Sequence, residues 1–264
     1  MFYFLFSGEN GYMLNLYGLL GRLFVYDDYI IIDGVQTQSQ AISFPIVLSF
    51  LLIAAFVGYL IGGINTAVIV SGKMYSEDIR TQGSKNPGFA NMMRTYGGKA
   101  AAITFAGDFI KAVVAVTIGW VLFGYIGALS GGFFAFIGHI FPLYYKFRGG
   151  KGIVCLAGIL FMLDWRMFLI CLAVFIVAVL VTKYISFGSV LSSMTLPIFM
   201  SRMYSGANLD MARIKAIAVF CAIVAAVIVI IKHWGNLKRI FDGTESKFEF
   251  KKSKKRADGS SASE

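Results

Sequence analysis

Residues 212–232 read ARIKAIAVFCAIVAAVIVIIK, and from Ala216 to Ile231 no side chain carries a charge. An apolar run of roughly 17–25 residues is long enough to cross a bilayer as a helix. In hydrocarbon every backbone N–H and C=O must find its partner inside the protein, which leaves helices or closed barrels as spanning structures. Further apolar runs lie near 44–72, 100–124, 127–146, 151–164, 166–183 and 186–204. Asp164, Trp165 and Arg166 interrupt the 151–183 block and split it at a tight interfacial turn. The pattern predicts an all-α polytopic membrane helical bundle of about seven transmembrane helices.

Composition points the same way. Hydrophobic residues make up 58% of the 264-residue chain and charged residues 14%, against roughly 25% charged in soluble domains. The mean hydropathy is +0.73. Such a chain cannot hide its apolar surface in water at this length.

The formal net charge is +10. In a soluble protein that balance would suggest nucleic acid. Here no nucleic-acid partner is expected, because Lys and Arg retained in short cytoplasmic loops set membrane orientation. With the N-terminus outside, Lys73, Arg80, Lys85, Arg94 and Lys99 fall inside. So do Lys146, Arg148, Lys151, Lys183 and the tail from Lys232. The external segments then hold only Arg22, Arg166, Arg202, Arg213 and Lys215. The C-terminus is therefore expected inside.

Three parts follow. Residues 1–42 read as an accessory N-terminal segment, interfacial in character and not a secretory signal, since a basic n-region is missing and Glu9, Asn10 and Gly11 break the first apolar run. Residues 43–250 form the membrane domain. Residues 251–264 read as a basic disordered tail, which either is simply solvated and topogenic or holds anionic lipid. Cys155, Cys171 and Cys221 lie in apolar stretches without CxxC or metal-ligand spacing, and read as core packing.

Three polar segments, all on the expected cytoplasmic side, can carry chemistry. The first is 77–99, including Gly83-Ser-Lys-Asn-Pro-Gly-Phe-Ala-Asn-Met-Met-Arg94. Ser84, Asn86 and Asn91 can hydrogen-bond phosphate oxygens, and Arg94 can grip a phosphate with two N–H groups. It reads equally as a polar loop with one stray Arg. The second is 138–152, ending Arg148-Gly-Gly-Lys-Gly152 before an apolar helix. Gly149, Gly150 and Gly152 allow successive N–H groups to converge on an anion at a helix N-terminus. Arg148 and Lys151 also serve as positive-inside charges, and Phe141, Tyr144, Tyr145 and Phe147 read as an interfacial belt. The run is not a Walker A loop, because Tyr145 stands where its first Gly belongs. The third is 233–247, where His233 and Asn236 share a helix face if the helix continues. Arg239 and Glu245 follow. His233 is chemically a candidate general base. Within the predicted spans, Asp108 and Lys111 either neutralise one another or serve function.

No HExxH or Gly-x-Ser-x-Gly pattern occurs, and neither a metal nor a cofactor is expected. Internal repeats are not evident, which weakens a carrier built from inverted repeats.

Taken together the three segments resemble the motifs of the bacterial acyl-phosphate–glycerol-3-phosphate acyltransferases. The likeness lies in Gly83 to Arg94, in Gly138-His-Ile-Phe-Pro through Gly152, and in His233-x-x-Asn236-x-x-Arg239 followed by Gly243-Thr-Glu245-x-Lys247. Gly58-Tyr-Leu and Ser186-Phe-Gly-Ser189 are similar to two minor marks. The chain departs from the family pattern at Phe89-Ala90, where Ala-Thr is common, and at Gly63, Asn65 and Cys155. The resemblance implies transfer of a fatty acyl group from acyl phosphate to the sn-1 hydroxyl of glycerol 3-phosphate. Lysophosphatidate and inorganic phosphate are the implied products, made at the cytoplasmic face of a bacterial cell membrane. It implies membrane lipid as surroundings and a functional link to an enzyme that makes acyl phosphate.

On that reading Ser84, Arg94, Lys151 and His233 bind phosphate and Asn236 supports them. Asn86, Asn91 and the glycines shape the pocket, and Arg148, Arg239 and Glu245 complete it. The family's implied proton acceptor is the substrate's own phosphate. The rival reading is a membrane transporter of an organic phosphate, which would need access from both sides.

Overall fold

The computed structural model describes residues 26–32, 35–41, 44–203 and 209–248. Helices account for the expected membrane domain. Ahead of it stands an antiparallel hairpin of β1 (Tyr26–Ile32) and β2 (Val35–Ala41), paired from Tyr26↔Ala41 to Ile32↔Val35. Its strands fall in the accessory segment, where no hairpin was anticipated, although Asp33-Gly34 between them is a dipeptide that two-residue hairpin connections favour. The basic tail from Lys251 lies outside the described residues.

The expected span 44–72 is two helices, α1 (Phe44–Gly63) and α2 (Thr66–Tyr75). Buried Asn65 separates them, and its side chain accepts the Val68 N–H to cap α2. After a 3-10 turn at Ile79–Thr81 comes the short α3 (Phe89–Tyr96). Next is α4 (Gly98–Ile140), a helical hairpin whose two arms meet at Phe123 and Gly124, both non-helical. Gly124 turns the chain in the left-handed region, with φ 53°. The arms then touch backbone to backbone: a Cβ on Gly119 would stand 2.1 Å from the Gly127 carbonyl oxygen. The same device seats α1 on the second arm, since a Cβ on Gly62 would stand 2.0 Å from the Ala135 oxygen. Close approach through small residues is how membrane helices gain packing energy without a hydrophobic drive.

A second 3-10 turn, Leu143–Tyr145, follows the end of α4. The predicted split of 151–183 is present as α5 (Ile153–Leu163) and α6 (Trp165–Thr182). Asp164 ends the first helix and caps the second, accepting from Arg166 N and Met167 N while pairing with the Arg166 guanidinium at 3.0 Å. Last come α7 (Ile185–Met203) and α8 (Leu209–Phe241). The final span was expected near 212–232, yet the helix continues through His233 and Asn236 to Phe241.

The core joins both arms of α4 to α5, α7 and α8 through Val116, Phe136, Cys155, Ile159, Val190 and Val229. Cys171 sits in a second buried cluster and Cys221 packs against it, so all three cysteines serve packing. Large apolar side chains such as Phe56, Val181 and Phe220 face outward, as a lipid-facing surface requires. Among the described residues, four helices are long and apolar enough to cross a membrane by length and composition.

Candidate active site

The first segment is built around Asn91, which is 1% exposed. Its Oδ1 accepts the Ser84 N–H at 2.9 Å, and its Nδ2 donates to the carbonyls of Gln82 (3.0 Å) and Ile79 (3.4 Å). Both ends of the amide therefore hold loop backbone, and Asn91 shapes the loop from beneath. Gly83 lies in the left-handed region, and a Cβ there would meet Asn91 Oδ1. The loop thus turns Ser84 outward. The Ser84 hydroxyl is exposed and makes no hydrogen bond among the described residues. Arg94 is exposed on α3 and has no carboxylate partner among them. Asn86 is half-buried beside Gly88.

Arg80 is the segment's other guanidinium, and it is engaged. It pairs with Asp78 at 2.6 Å and lies over the Tyr145 ring. Hydrogen bonding to Arg80 holds the Asp78 carboxyl below its usual range. Tyr145, expected in an interfacial belt, links the first segment to the second. Phe141, Tyr144 and Phe147 are exposed.

The glycine-rich run folds back on the end of α4. Gly149 N–H donates to Ile140 O and Gly150 N–H to His139 O, at 3.3 and 3.1 Å. At Gly150 a Cβ would stand 2.3 Å from His139 Nε2 and 2.9 Å from the Pro87 carbonyl oxygen. The loop can lie between the first segment and α4 only because that position is glycine. Gly152 begins α5 without a side-chain cap, so the first N–H groups of this helix keep no intrahelical partner. Arg148 is exposed and unpaired among the described residues.

The third segment closes the site from α8. Lys151 Nζ donates to Asn236 Oδ1 in a short contact. Asn236 Nδ2 donates to Glu245 Oε1 at 2.6 Å, and Ser186 Oγ donates to the same oxygen at 2.9 Å. Arg239 Nε donates to Glu245 Oε2 at 2.8 Å. The Glu245 side chain is only 6% exposed. Burial pushes its carboxyl pKa up, but the hydrogen bonds from Asn236, Arg239 and Ser186 outweigh that and hold it below its ordinary value. Both of its oxygens are occupied by protein donors. Arg239 and Glu245, expected to meet substrate, thus serve one another and Asn236. Lys151 has its pKa lowered to about 8, first by burial and then by the cations Arg239 and Arg94, against the pull of Glu245. His233 is 3% exposed, places Nδ1 2.9 Å from Val229 O, and lies within Coulombic reach of Lys151 and Glu245.

Three sequence segments thus converge: Arg94 lies within electrostatic range of Lys151, Lys151 reaches Asn236 on α8, and Gly150 packs beside Pro87. An ammonium at a helix N-terminus with the Arg94 guanidinium, unpaired among the described residues, in range suits phosphate, which takes bidentate guanidinium contacts, ammonium contacts and helix N–H groups. The glycerol-3-phosphate acyltransferase family profile matches residues 52–243. The chain belongs to the glycerol-3-phosphate acyltransferase family. A glycerol-3-phosphate acyltransferase of Clostridioides difficile (strain 630) is 40% identical over 207 residues, covering 76% of this chain and 97% of that protein. The corresponding protein of Thermoanaerobacter pseudethanolicus is 38% identical over 198 residues, 75% of this chain and 96% of that one. Among solved structures, the integral membrane glycerol 3-phosphate acyltransferase PlsY in its glycerol 3-phosphate form superposes with a TM-score of 0.66. It is 26% identical and covers 75% of this chain and 96% of that chain. The lysophosphatidic acid form of PlsY, at 24% identity and a TM-score of 0.65, shares the fold.

Within this family fold, the structure brings Lys151, His233 and Asn236 into one neighbourhood. Ser186 had been only a minor mark, yet it is a direct ligand of Glu245. His139 had been noted only for its place in the second segment, and it stands beside Asp108 and Lys111, which had been weighed as a pair. No spacing rule links residues 108 and 139, because the α4 turn brings them together.

Proposed function

We propose that this chain transfers a fatty acyl group from acyl phosphate to the sn-1 hydroxyl of glycerol 3-phosphate, releasing lysophosphatidate and inorganic phosphate. The observation that carries this reading is Lys151 just before the α5 N-terminus with Arg94 in electrostatic range and no carboxylate on the Arg94 guanidinium among the described residues. Two substrates that each bring a phosphate repel one another, and a fixed set of cations reduces that cost. Acyl phosphate already carries a good leaving group, so what remains for the protein is chiefly positioning and charge stabilisation.

In this reading Arg94 and Lys151 hold phosphate oxygens, with the Ser84 hydroxyl and the α5 N–H groups. Asn236 orients Lys151. His233 lines the pocket, and the substrate phosphate takes the hydroxyl proton. Asn86, Asn91, Gly149, Gly150 and Gly152 give the pocket its shape. The domain spans residues 43–250 and crosses the membrane seven times, with its N-terminus outside, its C-terminus inside and the site facing the cytoplasm. The positive-inside distribution of Lys and Arg supports that orientation. Acyl phosphate would reach the site from an enzyme that makes it, by way of the bilayer.

Purified protein in detergent, given acyl phosphate and labelled glycerol 3-phosphate, should form labelled lysophosphatidate. Lys151→Ala should lower turnover at least tenfold, as should His233→Ala. Arg94→Lys should be poor despite its retained charge, because the two-pronged guanidinium contact is lost. No lysophosphatidate, with glycerol 3-phosphate accumulating in vesicles instead, would favour a carrier.

A further inference from the structure

Three buried ionisable side chains lie under the site and take no part in the chemistry above. Asp108 and Lys111 come from the first arm of α4 and His139 from the end of the second, at 1, 7 and 4% exposure. Lys111 Nζ lies 2.8 Å from Asp108 Oδ1 and donates to His139 Nδ1, also at 2.8 Å. It further donates at 2.6 Å to Ile64 O, in the break between α1 and α2. An ammonium has only N–H donors, so His139 Nδ1 meets it as an acceptor and the ring proton is assigned to Nε2.

The far edge of that ring faces the glycine-rich loop. A Cβ on Gly150 would crowd Nε2 at 2.3 Å, while Gly150 N–H already donates to His139 O at 3.1 Å. Pro87 O is beside the same glycine and accepts from Asn65 Nδ2 at 3.4 Å. One buried ammonium therefore ties together the α1–α2 break, both arms of α4 and, through one imidazole, the loop whose next residue is Lys151.

We propose that Asp108, Lys111 and His139 form a positioning cluster that fixes the Gly149–Gly150 turn against Pro87 and so presents Lys151 to Asn236 and the substrate. This rests on Lys151 acting in the site. Removing Asp108 or Lys111 would strand the other charge in an apolar interior, so His139 is the informative position.

The test is a double-mutant cycle on monodisperse protein in detergent, reading kcat/KM for glycerol 3-phosphate with acyl phosphate as donor. His139→Ala should lower kcat/KM at least tenfold in the parent and less than twofold in a Lys151→Ala background. His139→Asn, whose amide oxygen can accept from Lys111 near the Nδ1 position, should recover part of the loss. Equal fold losses in both backgrounds would overturn the cluster's role while leaving the site reading intact. No loss from Lys151→Ala would sink the site reading and this proposal with it. If turnover of Lys151→Ala is below detection, the same cycle is read from the rise in Tm that glycerol 3-phosphate produces.

Discussion

Lys151 stands in the described structure with its pKa near 8, well under the ordinary 10.5, because its ammonium is largely out of water and faces Arg239 and Arg94. The sign has two consequences. Between about pH 8 and 10.5 the unfolded chain holds this proton and the folded chain does not, so stability rises with pH across that window. In the proposed role the ammonium holds phosphate, so activity should move the other way. We expect kcat/KM for glycerol 3-phosphate to fall above about pH 8, since that parameter reports the free enzyme. A bound phosphate stabilises the charged form, so the limb in kcat should lie higher. Replacing Lys151 with Arg should remove the limb from a pH–rate profile, whatever the variant's absolute rate. An unchanged limb would assign it to another group. At this scale the juxtaposition of Lys151, Asn236 and His233 was readable in the sequence. Lys151, Arg94, Asn236 and His233 stand in runs dense in Gly and Asn, which an ordinary topogenic loop does not need. Glu245 was harder, because a carboxylate among cations reads alike as a ligand for substrate and as an acceptor for its own neighbours.

Among the elements, α8 and the chain after it act as one unit through Glu245. Its carboxylate takes donors from Ser186 on α7 and from Asn236 and Arg239 on α8, while the N–H groups of Thr244 and Glu245 return to Arg239 O at 2.8 and 3.0 Å. Hydrogen bonds to a charged group contribute about 1.5–3 kcal/mol each in net terms. Glu245→Gln keeps the side chain's size and loses its charge. We expect a lower Tm and at least a tenfold drop in kcat/KM, because Asn236 loses its fixed orientation beneath Lys151. Ser186→Ala should show the same trend more weakly, since one of three donors is removed. Full turnover in Glu245→Gln would mean that Asn236 keeps its place unaided. Element boundaries were only partly legible. Asp164-Trp-Arg166 marked the α5–α6 junction because it interrupts an apolar block at an interfacial turn, and in the structure the Asp164 carboxylate caps α6 there. The Asn65 break was missed because its flanks are as apolar as any span. The length of α8 stayed open because hydropathy ends at Lys232, while the helix continues to Phe241 and so puts His233 and Asn236 on it.

At the scale of the whole molecule, the fold class was legible from hydropathy alone, and the tertiary pairing of helices was not. Helix contacts in α1 and α4 are made by glycines and alanines, which allow close approach but carry no mark of which helix they will meet. Membrane orientation is the feature to test here. In a background lacking Cys155, Cys171 and Cys221, single cysteines at Lys146 and Lys247 should react with a membrane-impermeant maleimide only from the cytoplasmic side. A cysteine at Arg166 should react only from outside. The reverse pattern would turn the molecule over and place the phosphate site on the wrong side for a soluble cytoplasmic acceptor.

The shortest of the later helices bears on where the proposed chemistry would happen. α5 has 11 residues, or about 16 Å at 1.5 Å per residue, roughly half of a hydrocarbon layer about 30 Å thick. In the proposed orientation, with Trp165 and Arg166 at the outer headgroup layer, α5 would fall short of the cytoplasmic surface and the loop before it, with Lys151, would line a water-filled recess. Water-soluble and oil-soluble reactants would then meet in a notch cut below the membrane surface. A donor still embedded by its tail would need no extraction, and an acceptor entering from water would descend only as far as its charge is matched.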